Sequence, residues 1–90
     1  MSLLDTYNFE DLVNEAERLV IGELEQQLLA RGDEPDEDQV LDMAAYALNQ
    51  VSPRYRVNLL GRIYARNVPE QYQDEIRSAV AVAIAKVMRG

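Results

Sequence analysis

Three stretches of the chain repeat their apolar residues with a helical period, and the stretch between the last two does not. Phe9, Leu12, Val13, Ala16, Leu19, Val20, Leu24 and Leu28 fit one helical face over several turns. Asn8 is placed to cap that helix, with Asp11 reaching back and Glu10 suiting the positive helix end. Gly32 is a natural stop, and Asp33-Glu34-Pro35 reads as a short loop. Asp36 can cap a second helix, whose face is Val40, Met43, Ala44, Ala47, Leu48 and Val51, widened by Leu41, Ala45 and Tyr46. Ser52-Pro53 ends it, because a proline disfavours helix at the residue before it. A third helix is expected from near Pro69, with Glu70 suiting its start and Tyr72, Ile76, Ala79, Val80, Ala83, Ile84 and Val87 as its stripe.

Between Pro53 and Pro69 the period falls to two. Tyr55, Val57 and Leu59 alternate with Arg54, Arg56 and Asn58. Beyond Gly61, Ile63 and Ala65 alternate with Arg62, Tyr64 and Arg66. The pattern predicts extended segments there rather than helix. The fold class is therefore mainly α: three main helices, with a short extended, β-like segment between the second and third. With 90 residues the chain has room for one domain, spanning 1–90.

Two apolar faces are too wide for so small a chain. Ala79 to Ala85 leave no polar side on the middle of the last helix, and Met43 to Leu48 do the same on the second. A helix that is apolar all round is buried all round, and three helices cannot wrap two such helices completely. A two-fold homodimer is expected, with the small residues of the last helix at its interface.

Composition removes several chemistries. There is no cysteine and no histidine, which excludes disulfides, thiolate and imidazole metal sites, and histidine-based triads. The glycines are isolated, so no glycine-rich phosphate loop is present. Asp36, Glu37 and Asp38 cluster at a helix start, where acids match the helix dipole more often than they catalyse. No enzyme activity, metal or cofactor is expected. The apolar run Ala79–Ala85 is too short to span a bilayer, and no apolar leader follows Met1, so a soluble, cytoplasmic protein is expected, with no membrane contact.

Charge is unevenly spread. Residues 1–42 hold thirteen acids and two bases, whereas residues 43–90 hold three acids and seven bases. A chain with net charge −7 is a poor match for the DNA backbone, so direct DNA binding is not expected. A local basic strip can still hold a small anion. Arg54, Arg56, Arg62 and Arg66 fall close together, and all are arginine, the side chain that forks onto phosphates and guanine edges. Surface charge mixing and pairing with the acidic half explain the same residues without a ligand. On the second helix, Asp42, Tyr46 and Asn49 form a polar face on an otherwise apolar element. Each also has an ordinary explanation: Asp42 pairs with an arginine, Tyr46 is a core ring, and Asn49 bonds backbone at the helix end.

The run from Leu41 to Tyr55 resembles the signature of the late-competence ComFB-like family, roughly D-x-x-A-x-A-L-N-x-L-P-P-x-Y with a glycine further on. Asp42, Ala45, Ala47, Leu48, Asn49, Pro53, Tyr55 and Gly61 fill it, with Val51 in place of the leucine and Ser52 in place of the first proline. Leu12-Val13-Asn14-Glu15 and the alanine-rich last helix are similar to the family's two ends. Some members bind zinc through cysteines before the aspartate. The matching positions here fall near Glu34, Asp36 and Gln39, so no zinc is implied.

The resemblance implies a small α-rich dimer without catalytic machinery. Several members are receptors for the second messenger cyclic di-GMP, and a receptor role for this chain would imply a downstream regulatory protein as partner. Others are known from their context near competence functions, which leaves a ligand-free dimeric interaction module, with an acidic first helix docking a basic partner, as the alternative. A cyclic dinucleotide needs cationic forks for its phosphates, flat rings for its guanines and an acceptor for the guanine amine. Arg54, Arg56, Arg62, Tyr64, Arg66, Asp42, Tyr46 and Asn49 are the candidates. In a strand, Arg54 and Arg56 share one face and Tyr55 takes the other. Either the arginines hold the ligand and Tyr55 is core, which its place in the apolar alternation favours, or Tyr55 stacks and the arginines pair elsewhere.

Overall fold

The computed structural model describes residues 2–7, 12–57 and 68–89, with the backbone alone for Leu4, Arg56 and Val57. Its elements run α1 (Leu3–Thr6), β1 (Leu12–Asn14), α2 (Glu15–Arg31), α3 (Glu37–Gln50), β2 (Tyr55–Val57) and α4 (Glu70–Arg89). The mainly α class with three main helices holds, and α1 is a short addition that the pattern did not indicate.

The start of α2 corrects the expected first helix. Leu12 and Val13 leave the helical face and form a strand antiparallel to β2, with Leu12 opposite Val57, Val13 opposite Arg56 and Asn14 opposite Tyr55. Two competing signals explain the change. Leu12 and Val13 fit a strand as well as a helix, and the ladder to β2 satisfies backbone groups that a longer helix would have used. Asn14 then caps α2, its side-chain oxygen accepting the Ala16 N–H at 3.1 Å. The cap expected at Asn8, with Glu10 and Asp11, lies outside the described residues.

The other boundaries follow the pattern. Gly32 adopts φ 72°, and its N–H closes α2 onto the carbonyls of Leu28 and Leu29 at 3.0 and 3.2 Å. At α3, Asp36 accepts the Gln39 N–H at 2.8 Å, and the Gln39 side chain accepts the Asp36 N–H at 2.9 Å, a reciprocal capping box. The Pro69 carbonyl accepts from Tyr72 and Gln73 in the first turn of α4, and Lys86 and Arg89 sit in its last turn, matching the helix dipole.

The helix α4 packs against both α2 and α3, which also pack on each other. Val20, Met43, Val80 and Ile84 are the largest fully buried side chains, joined by Ala16, Leu24, Ala47, Ile76, Ala79 and Ala83. Each large apolar side chain buried this way contributes about 1.5–3 kcal/mol. The run Ala79–Ala85 divides: Ala79, Val80, Ala83 and Ile84 face the core, while Ala81 and Val82 are exposed. On α3, Ala45 is exposed and Ala44, Tyr46 and Leu48 are half-buried. Among the described residues, no helix is long and apolar enough to cross a membrane.

Candidate functional site

The start of α2, the approach to β2 and the first turn of α4 meet at Arg54. The Asn14 side-chain oxygen that caps α2 also accepts the Arg54 N–H at 2.9 Å. The Arg54 carbonyl accepts the Glu15 N–H at 2.6 Å. Both backbone groups of Arg54 are thus tied to the cap and the first residue of α2. Its half-buried side chain lies over the Tyr72 ring, with the guanidinium carbon 5.2 Å from the ring centroid. That is cation–π geometry, worth about 0.5–2 kcal/mol depending on burial.

Tyr72 completes the node. It is buried, and its hydroxyl donates to the Ser52 carbonyl, while the Ser52 N–H donates to the Glu75 carboxylate at 2.9 Å. The turn after α3 is therefore held to α4 on both sides of one peptide residue. Burial pushes the Tyr72 phenol above its ordinary value of 10.0; the Glu75 and Glu15 carboxylates add to the rise and Arg54 opposes it. Glu15 is buried and pairs with exposed Arg18.

Tyr55 overturns its expected place in the core: it is 65% exposed. Of the two neighbours, Arg54 is half-buried and Tyr55 is exposed, the reverse of the expected sides. Arg54 packs inward on Tyr72, and among the described residues the sheet has two strands and leaves Tyr55 uncovered. The Arg56 backbone pairs with Val13 in the ribbon; its side chain, and the whole of Arg62, Tyr64 and Arg66, lie outside the described residues.

The α3 candidates sit elsewhere. Asp42 and Asn49 are exposed, and Tyr46 is half-buried with the Lys86 ammonium 5.3 Å from its ring centroid. Among the described residues, the ion pairs are Arg18–Glu15, Arg31–Asp33 and Arg77–Asp74, so Asp42 does not hold an arginine there. Tyr72 and Lys86 mark the two groups on α4, and their positions are separated by about 21 Å of helix axis. Arg54 and Tyr46 therefore do not belong to one tight cluster.

A cleft of about 470 Å³ opens between α2 and α4, lined by Arg18, Leu19, Gly22, Val68, Ile76 and Arg77 among others. A side chain added at Gly22 would meet nothing within 4 Å at its first carbon. Asn14, Glu15 and Arg18 do not stand out in the sequence as site residues, and Tyr72 reads there only as part of a core stripe. The available signal is slight: Asn14 precedes the acidic pair Glu15 and Glu17, as a cap does, and Tyr72 carries the one hydroxyl on its stripe.

These features define a small helical domain with a two-stranded ribbon pinned to the starts of two helices. The family model described as Late competence development protein ComFB matches residues 13–90, and the chain belongs to that family. No curated protein and no solved structure matches it.

Proposed function

We propose that this chain is a non-enzymatic, cytoplasmic receptor for cyclic di-GMP of the ComFB type, working as a homodimer and passing the second-messenger state to a regulatory protein. Membership of the ComFB family supports the reading, and the presentation of Arg54 is the structural observation that carries it. A guanidinium lying over a ring covers one face of its plane and keeps in-plane N–H donors for a phosphate or for guanine O6 and N7. Because the Arg54 backbone is bonded to Asn14 and Glu15 and its guanidinium rests on the Tyr72 ring, ordering it for a ligand loses less entropy than ordering a free arginine. A charged hydrogen bond of this kind contributes about 1.5–3 kcal/mol. Arg56, Arg62, Tyr64 and Arg66 follow in the chain and would supply the remaining cationic and stacking groups.

Calorimetric titration with cyclic di-GMP tests this. Saturable binding is expected, with Arg54→Ala weakening it by about tenfold or more and Arg54→Lys, which keeps charge but loses the fork, falling between. Sedimentation near twice the 10.2 kDa chain mass is expected for the dimer. No heat at high micromolar ligand would select the ligand-free interaction module instead, with Arg54 a structural tie between strand and helix.

A further inference from the structure

Two strips border the α2–α3 seam on the side away from α4. On α2, one residue beyond buried Val20 and Leu24 and half-buried Leu28 come Ile21, Glu25 and Leu29; Ile21 is 56% and Leu29 75% exposed. On α3, one residue beyond Val40, Ala44 and Ala47 come Leu41, Ala45 and Leu48; Leu41 is 59% exposed and Leu48 half-buried. The opposite flank of each helix meets α4, through the Gln27 amide on the Arg77 carbonyl at 3.1 Å and through Lys86 over Tyr46. One residue is a 100° step around a helix, so both strips turn away from α4 toward the back of the same seam.

Charge selects the occupant. This surface belongs to the part of the chain with thirteen acids and two bases. Both bases already pair within the chain, Arg18 with Glu15 and Arg31 with Asp33. Glu17, Glu25, Glu34, Glu37 and Asp38 are all exposed. A second copy seated here would set carboxylates against carboxylates, which disfavours self-association through this face. We propose that the α2–α3 face docks a basic amphipathic helix of another protein, its apolar side chains on Ile21, Leu29 and Leu41 and its lysines or arginines over Glu25, Glu37 and Asp38. Such a helix-in-groove mode uses anchors at helical spacing, and its cationic face meets this acidic rim. Docking at this face does not depend on whether the chain binds cyclic di-GMP.

A leucine–lysine peptide with heptad patterning, the same composition scrambled, and a leucine–glutamate counterpart are the probes. Fluorescence anisotropy gives affinity, and backbone amide shifts locate binding. The patterned basic peptide is expected to bind at least about tenfold tighter than either control, to move the amides around Ile21, Leu29, Leu41 and Ala45, and to weaken at least about tenfold with Leu29→Gln/Leu41→Gln. If that variant loses helical circular dichroism, Glu25→Gln/Glu37→Gln, at exposed positions, tests the same contact through its charges. Equal binding of the scrambled peptide, shifts centred on another face, indifference to both variants, or a dimer that dissociates on Leu29→Gln/Leu41→Gln would each overturn the proposal.

Discussion

The node at the start of α2 and the outer face of the α2–α3 hairpin treat their side chains in opposite ways. At the node, polar groups are drawn inward and tied: one Asn14 oxygen serves two backbone donors, Arg54 lies on Tyr72, and Tyr72 reaches the Ser52 carbonyl. On the outer face, Leu29 and Leu41 stand mostly in water among exposed carboxylates. A satisfied polar cluster holds shape, because leaving any member unpaired carries a desolvation penalty. An exposed apolar side chain holds nothing in the free chain and gains free energy only when something covers it. The two regions should therefore respond to mutation on different scales.

Asn14→Ala is expected to give the largest effect. It removes the cap of α2 and the acceptor for Arg54 together, for a loss of about 2–3 kcal/mol. The urea midpoint should fall with its slope unchanged. A loss near the lower end of ordinary capping, about 0.5 kcal/mol, would show that the strand and helix are not coupled through this side chain.

Tyr72→Phe comes next, at about 1 kcal/mol near neutral pH, for the hydrogen bond to Ser52. Its pH dependence is the sharper measurement. The raised phenol pKa means that the folded chain holds this proton more tightly than the unfolded chain does. That contribution is whole below pH 10.0 and is lost as pH rises through the folded value. Wild type should therefore lose stability faster than Tyr72→Phe above pH 10.0, while the difference stays flat at lower pH. Parallel curves across the alkaline range would mean that folding does not raise the pKa of this phenol.

The same contrast explains what the sequence disclosed. Gly32, the Asp36 cap and the Pro69 start were legible because each is a local signal, satisfied within a few residues of itself. The stripe of α4 was legible because burial repeats with the helical period. Leu12 and Val13 were misassigned to a helix because their spacing fits either period, and the deciding partner, β2, lies some forty residues away. Tyr55 was misplaced for a related reason: alternation says that two faces differ, and only the tertiary position of Tyr72 says which of them is covered. Of the site, the arginine-rich run was visible, but the ties that orient Arg54 come from Asn14, Glu15 and Tyr72, distant residues with no motif of their own.

Leu29→Gln/Leu41→Gln marks the small end of the scale. Leucine and glutamine have similar helix propensity, and both positions are mostly exposed, so the free chain should change by no more than about 0.5 kcal/mol. Met43→Gln, one helical face away on α3 and fully buried, gives the reference: it would place an amide in the core and destabilise by several times as much. Urea denaturation of both variants under one set of conditions separates the cases. If the exposed pair lowers stability as much as Met43→Gln, the outer strips are held against other parts of the chain or a second copy, and the face is not free for a partner. If stability is unchanged, the apolar character of Leu29 and Leu41 contributes nothing to folding, and an association with another molecule is the setting in which burying it would gain free energy.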